Sequence, residues 1–258
     1  MGIVNSLRAI LRRFDVDLAR ASNLADLRQK AGAARDLDFL RALDDVSLRP
    51  ALEALPHSQA QLRQDLFALA CTGFRRNGFF VEFGATDRKT LSNTWLLEKH
   101  FGWTGILAEP ARTWHSQLTA ERSARIDFDC VWSRSGEEFR FTEAAEAELS
   151  TISDFAGSDY HAHNRQSGQS YTVRTVSFND LLERHAAPAM MDYLSIDTEG
   201  SELEILSSLD FDRFRFRVIT CEHNYTANRE RIHSLLSAKG YVRKLEAVSD
   251  FDDWYVLA

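Results

Sequence analysis

Three features of this sequence predict a doubly wound α/β fold, a mostly parallel sheet with crossover helices. From residue 77 onward, short apolar segments of strand length alternate with segments of helical period. Turn residues separate them, starting at Asn77-Gly78. The chain of 258 residues is 44% hydrophobic and 27% charged, which suffices for a sizeable core. Four prolines and twelve glycines exclude a collagen-like or low-complexity chain. The expected organisation is a helical N-terminal extension over residues 1–76 and a sheet domain over 77–258.

The first 14 residues carry Ile3, Val4, Leu7, Ile10, Leu11 and Phe14 at helical spacing. Arg8, Arg12 and Arg13 fill the other face, and no acid occurs. A basic amphipathic helix of this kind suits an anionic membrane surface. The same pattern also suits a helix packed on the domain or on a second subunit. It is not expected to be a secretory signal, because arginines break the apolar block. Residues 1–6 also fit the loose myristoylation pattern, a match too short to carry weight. Two further helices are predicted, over Arg35–Leu48 with Leu37, Leu40 and Leu43, and over Gln59–Cys71 with Leu62, Leu66 and Leu69. Pro50 and Pro56 are expected to punctuate the stretch between them.

In the second part, Phe79–Gly84 reads as a strand and Asn93–His100 as a helix. Gly105–Glu109 is the next strand and Arg112–Glu121 the next helix, followed by strands over Ile126–Trp132 and Glu137–Thr142. Residues 143–170 read as polar and irregular. Tyr171–Val176 precedes a helix over Phe178–His185. Asp192–Ile196 is a strand, Ser201–Leu209 a helix with Leu203, Leu206 and Leu209 on one face, and Phe216–Cys221 a strand. A helix over Arg229–Lys239 stops at Gly240, and Tyr241–Leu245 and Trp254–Leu257 close the chain as strands.

No apolar run approaches the length a membrane span needs. Cys71, Cys130 and Cys221 are far apart with no CxxC pair, so buried free thiols in a reducing compartment are expected. A net charge of −7 argues against a nucleic-acid partner, whose phosphates call for basic residues. The expected location is therefore cytoplasmic, with peripheral attachment at the inner membrane face if the amphipathic start docks there.

Ligands of such sheets bind beyond the carboxyl ends of the strands. The residues there are Gly84-Ala85-Thr86-Asp87, Glu109-Pro110, Asp197-Thr198-Glu199-Gly200 and Glu222-His223-Asn224. Small residues at 84 and 85 let a ligand approach the backbone. Glu109, 25 residues beyond Gly84, is placed to accept both hydroxyls of a ribose. Each acid alone could be a helix cap; their joint placement at strand ends points to a site.

These residues resemble the FkbM-type family of S-adenosylmethionine-dependent methyltransferases. The likeness rests on FVEFGATD (residues 80–87), LSNTWLLEKHFGWTGILAEP (91–110), DYLSIDTEGSELEIL (192–206), CEHN (221–224) and DDWYVL (252–257). The lead-in QLRQDLF (61–67) is similar too. The resemblance implies the class I methyltransferase sheet, Rossmann-like, with seven strands and the last antiparallel. It also implies S-adenosylmethionine as cofactor and O-methylation of a hydroxyl, on a small molecule, a sugar or a glycan made in glycan biosynthesis.

Carried onto this chain, Glu82, Gly84 and Ala85 match the cofactor loop. Ser92, Asn93 and Thr94 open a helix whose N–H groups suit the cofactor carboxylate. Glu109 with Pro110 matches the ribose acid, and Asp129 and Ser133 fall where adenine is expected. Arg88-Lys89 depart from the glycine that many relatives carry after position 87. The expected base is Asp197, with His223 second and Glu222 beside them. Asp197, Glu222 and Asn224 also form an oxygen ligand set suited to Mg2+, similar to catechol-type methyltransferases. The alternative is that Glu222 and Asn224 cap a helix or bind the acceptor. Glu199 and the loop residues Asp159, His161, His163 and Arg165 are the expected acceptor contacts.

Two other readings share the fold. A nicotinamide-dependent sugar oxidoreductase or epimerase would also place an acid at 109, but GxGxxG is absent. A non-catalytic cofactor- or glycan-binding domain would bind without turnover. A base methylator is not expected, since Asp197-Thr198-Glu199-Gly200 stands where those enzymes carry an (Asp/Asn)-Pro-Pro-aromatic motif. The helical extension is expected to mediate homo-oligomerisation or peripheral docking.

Overall fold

The architecture is that of a computed structural model, which describes residues 21–85, 89, 91–143, 151–152 and 169–258. The chain separates into Ala42–Ala258, one compact unit, and the residues up to Arg41. The boundary expected at residue 76 lies inside the compact unit. Before it runs α1 (Ala21–Ala42), whose leucines Leu24, Leu27 and Leu37 are exposed. The amphipathic start, residues 3–14, lies outside the described residues.

The helix expected over Arg35–Leu48 is interrupted. Asp44 caps α2 (Asp45–Ala54), its carboxylate accepting from Ser47 N at 2.7 Å. Pro50 sits inside α2 rather than ending a helix. The helix expected over 59–71 is shorter, α3 (Gln64–Cys71), because Arg63 takes a left-handed conformation. Leu62, Leu66, Leu69 and Phe67 are nevertheless all buried.

The sheet domain then runs β1 (Phe79–Phe83), α4 (Trp95–Phe101), β2 (Thr104–Ala108), α5 (Arg112–Glu121), β3 (Arg125–Asp127), β4 (Cys130–Trp132), β5 (Glu138–Glu143), β6 (Thr151–Ile152) and β7 (Gln169–Ser177). It continues with α6 (Phe178–Arg184), β8 (Met190–Ile196), α7 (Glu202–Ser208), β9 (Arg215–Glu222), α8 (Asn228–Ala238), β10 (Tyr241–Lys244) and β11 (Asp252–Leu257). The principal sheet has seven strands in the order β10-β11-β9-β8-β1-β2-β3. β11 is antiparallel to both of its neighbours, and the remaining pairs are parallel. This is the predicted doubly wound sheet, and the strand order reverses between β1 and β8, where the ligand crevice is expected.

One expected strand, Ile126–Trp132, is divided between two sheets. β3 closes the principal sheet, while β4 joins a four-stranded sheet in the order β4-β7-β5-β6. The break falls at Phe128-Asp129, where Asp129 N donates to the Asp127 carboxylate instead of a ladder partner. Much of the expected irregular stretch 143–170 lies outside the described residues.

Alternation along the strands builds both layers. Val81, Phe83, Leu194, Ile196, Ile219, Cys221 and Tyr255 face Leu181, Leu206, Ile232 and Leu236 of α6, α7 and α8. On the other face Phe67 of α3 stacks on Trp254 of β11 at 4.7 Å. Burying rings of this size stabilises the fold by about 2–3 kcal/mol each, so residues before β1 are part of the sheet domain. The three cysteines are free; Cys130 and Cys221 are buried, whereas Cys71 is exposed, unlike the expected buried thiol.

Candidate active site

The exits of β1 and β8 touch. Gly84 has φ +77°, and a Cβ there would lie 1.9 Å from the Asp197 carbonyl oxygen. Asp197 N donates to Phe83 O at 3.3 Å. Only glycine permits this approach, so the small-residue turn that can admit a cofactor backs directly onto the acid after β8. Ala85 beside it is buried. Thr86, Asp87 and Arg88 lie outside the described residues.

Glu82 and the α4 entry form one buried network. The Glu82 carboxylate accepts from Asn93 N at 2.7 Å, from Ser92 Oγ and from Thr94 Oγ1. Ser92 Oγ in turn accepts from Thr94 N and Trp95 N. The N–H groups expected to hold a cofactor carboxylate therefore already have acceptors within the chain. Arg122 lies against Glu82 at 3.9 Å and donates to Glu98 at 2.8 Å and Thr94 Oγ1 at 2.7 Å. Burial pushes the Glu82 carboxyl above its ordinary value against the pull of Arg122. Glu98 is also pushed up by burial, but Arg122 and Lys99 bring it down to about 2. Glu82, Ser92 and Thr94 thus brace the β1 exit, and Asn93 extends the brace by donating to Ser195 Oγ at 2.9 Å.

Glu109 lies at the end of β2 as predicted and is buried, with Oε1 accepting from Ala111 N at 2.8 Å. Its carbonyl contacts His115 Nε2 at 3.0 Å, and His115 stacks on Phe128 at 3.9 Å. The Pro110 carbonyl accepts from Tyr171 OH at 3.3 Å, which ties this turn to the smaller sheet. Asp129 and Asp127 share the Arg184 guanidinium at 2.9 and 2.8 Å. Ser133 follows β4 and so belongs with the smaller sheet rather than the exit of β3.

At the exits of β8 and β9, Asp197, Glu199 and Glu222 each place a carboxylate oxygen within 4.8 Å of the others. Asp197 and Glu222 are hydrogen-bonded. Burial pushes Asp197 up to about 6, offset by the Glu222 bond and reinforced by Glu202 and Glu82. Burial and then Asp197 push Glu222 well above the usual carboxylate range. Glu222 Oε2 is buried with no hydrogen-bond partner. Glu199 and Asn224 both have left-handed backbones, φ +58° and +42°, and Asn224 Nδ2 reaches Glu199 Oε2 at 3.5 Å. Glu199, read from sequence as an acceptor contact, is the third carboxylate, and Asn224 stands against it. Glu202 closes the turn by accepting from Thr198 N, Thr198 Oγ1 and Gly200 N.

His223 does not join this trio. Its Nδ1 accepts from Tyr225 N at 3.0 Å, and its Nε2 lies 3.8 Å from Asp253, which is bound by Arg229 and Arg243. Burial lowers its pKa. Asp159, His161, His163 and Arg165 lie outside the described residues.

Two residues that sequence reasoning did not single out, Gln64 and Asp252, stand beside Glu222. Asp252 pairs with Glu222 in the β11–β9 register and accepts from Gln64 Nε2 at 2.8 Å. Burial pushes its carboxyl up to about 8, against the Gln64 bond. Because β11 is antiparallel, its first residue, not its last, lies at the carboxyl end of the sheet. Reading the topology before choosing strand-end residues would have found it.

The family model described as the methyltransferase FkbM domain matches residues 51–255. The chain belongs to the FkbM methyltransferase family. Membership makes it a methyltransferase that uses S-adenosylmethionine, and the nicotinamide oxidoreductase reading is set aside. The matched segment starts before β1, in keeping with α3 being part of the sheet domain. Among solved structures, this FkbM methyltransferase is similar to a precorrin-6y C5,15-methyltransferase from Geobacter metallireducens GS-15, at 9% identity over 74% of this chain and 85% of that one, with TM-score 0.40. It is also similar to the CurJ carbon methyltransferase, at 10% identity over 93% and 71% of the two chains, with TM-score 0.39. No curated protein sequence matches it. The buried acid Glu109 at the end of β2 suits a ribose of the cofactor, while the need for glycine at 84 comes from the Asp197 carbonyl packed against it. Among the described residues no helix is long and apolar enough to cross a membrane.

Proposed function

We propose that this methyltransferase methylates a hydroxyl oxygen of a sugar or other polyhydroxylated acceptor, with Asp197 taking the hydroxyl proton. The observation that carries the reading is the Asp197–Glu222 pair, whose Asp197 carboxyl is pushed up to about 6 beside the Gly84 turn. A carboxylate with a pKa near the working pH is an effective general base, worth typically about 10²–10⁴-fold. An alcohol needs such a base, because it is a poor nucleophile until its proton leaves.

S-adenosylmethionine supplies the methyl group already activated on a sulfonium. The chain's residues then have three tasks. Gly84 and Ala85 admit the cofactor, and Glu109 is placed for its ribose. Glu222 orients Asp197 through their hydrogen bond. Glu199 and Asn224, on their left-handed turns, line the acceptor side, where the polar 159–165 segment also contributes. Alignment of acceptor and donor can supply roughly 7–11 kcal/mol of the barrier reduction.

The test is formation of S-adenosylhomocysteine with a panel of methyl glycosides. Asp197→Asn is expected to lower kcat by about 10²-fold or more while S-adenosylhomocysteine still binds. An unchanged kcat removes Asp197 as the base.

A second reading is favoured by the trio itself. Three carboxylate oxygens within 4.8 Å, one neighbour being an unpartnered Glu222 oxygen, suit a hard divalent ion such as Mg2+. Asp197, Glu199 and Glu222 would hold it, and the ion would lower the pKa of an acceptor hydroxyl. A turnover rate untouched by EDTA and by added Mg2+ ends that reading.

A further inference from the structure

We propose that the exposed ring of Tyr225 is the platform on which the acceptor's sugar ring lies, so that this residue selects cyclic sugars over open-chain polyols. The inference deepens the reading of a sugar hydroxyl as the acceptor and rests on it.

Tyr225 follows β9 in the turn at the carboxyl end of the sheet, one residue beyond Asn224, whose Nδ2 reaches Glu199 Oε2 at 3.5 Å. Glu199 in turn shares the carboxylate trio with Asp197. Tyr225 therefore stands at the rim of the crevice that holds the proposed base. Among the described residues only two phenylalanine, tyrosine or tryptophan rings are exposed, Phe128 at 41% and Tyr225 at 68%. Phe128 is stacked on His115. Tyr225 meets His223 in a T-shaped contact, 5.4 Å between centroids, and no described ring or cation is stacked on it.

This exposed ring is held in place. Its hydroxyl donates to Asp250 in the turn before β11, and its backbone N–H donates to His223 Nδ1 at 3.0 Å. Asn224 N donates to Phe251 O at 3.3 Å, so the two turns are clasped together. Asn224, Tyr225 and Asp250 all have left-handed backbones, with φ +42°, +55° and +53°. For a side chain as bulky as tyrosine that conformation costs free energy that glycine would not. An exposed ring recovers little of the cost by packing, and backbone strain of this kind collects where function needs a side chain in a set direction. A ring kept in one orientation with its apolar face toward solvent fits a ligand with an apolar face of its own. A pyranose has one, since its axial C–H bonds suit the electron-rich face of an aromatic ring. Its equatorial hydroxyls point outward to polar side chains such as Glu199 and Asn224. An open-chain polyol carries the same hydroxyls without that rigid face.

Formation of S-adenosylhomocysteine with methyl pyranosides, and with sorbitol and mannitol beside them, tests this. The pyranosides are expected to show a kcat/KM about tenfold or more above that of the alditols. Tyr225→Ala is expected to raise the pyranoside KM about tenfold, with kcat, the Kd of S-adenosylhomocysteine and the alditol rates unchanged. Tyr225→Phe keeps the ring and loses only the Asp250 bond, so it is expected to keep the preference. Tyr225→Leu, apolar but not aromatic, is expected to lose it. A pyranoside KM untouched by Tyr225→Ala overturns the inference, as do equal losses on pyranosides and alditols or a Tyr225→Phe variant as poor as Tyr225→Ala. Faster turnover of catechol, with the same dependence on Tyr225, would give the platform to a planar aromatic acceptor and overturn the choice of a sugar. If the variants fail to fold, the unmodified chain decides, since equal kcat/KM for pyranosides and alditols also overturns it. Turnover of no glycoside, with S-adenosylhomocysteine still bound, removes the sugar-hydroxyl reading and the platform with it. That result is distinct from glycoside turnover that ignores Tyr225.

Discussion

Gly84 makes the sharpest prediction at the scale of single residues. Its φ of +77° and its contact with the Asp197 carbonyl leave no room for a methyl group. Gly84→Ala is expected to abolish S-adenosylhomocysteine binding and to destabilise the fold by more than about 1 kcal/mol. Calorimetry and thermal melting check the two effects separately. Asp252 gives a pH prediction. Its carboxyl, raised by burial to about 8 from an ordinary 3.8, favours the protonated form in the folded state. The folded chain therefore holds this proton when the unfolded chain has lost it, and stability from this group falls as pH rises from about 4 through about 8. Asp252→Asn keeps an acceptor for Gln64 and removes the titration. The variant is expected to gain on the parent by more than about 1 kcal/mol between pH 5 and pH 8 in denaturant melts; parallel pH profiles would contradict the assignment. The acids at 109, 197 and 222 were legible in the sequence because each directly follows an apolar strand. Gln64 and Asp252 were not, because their pairing spans 188 positions along the chain.

The entry to α4 shows what a sequence string does and does not say about an element. The string SNTWLL predicts a helix start, and α4 begins within two residues of the expected position. Its open N–H groups, however, are taken by Glu82 and Ser92, with Arg122 closing the network from the end of α5. Arg122→Ala would leave Glu82 buried without its cation and Glu98 with Lys99 alone. A loss of about 3–5 kcal/mol in urea unfolding is expected, and a loss below about 1 kcal/mol would show that water replaces the guanidinium. The division of one predicted strand into β3 and β4 has a similar origin. Periodicity marks extended backbone but not which sheet receives it, and that choice was made by the Asp127 carboxylate capturing Asp129 N.

The chain as a whole consists of the compact unit Ala42–Ala258 and the residues up to Arg41. Removing residues 1–41 is expected to leave cofactor binding unchanged, since every residue placed at the site lies in the compact unit. The docking role expected of the basic amphipathic start predicts that the shortened chain loses either oligomeric mass in sedimentation or binding to anionic vesicles. A shortened chain that matches the parent in both has lost no docking element. The sequence by itself determined the doubly wound class, most strand and helix positions, and which residue types stand after each strand. These are local properties, set by side-chain period and turn chemistry. Only the tertiary structure decided that Glu199 joins Asp197 and Glu222, with Asn224 beside it, that His223 turns away to Asp253, and that Gln64 and Asp252 stand behind Glu222. Those meetings depend on the order and direction of strands, and an antiparallel last strand brings its first residue to the end where its neighbours bring their last.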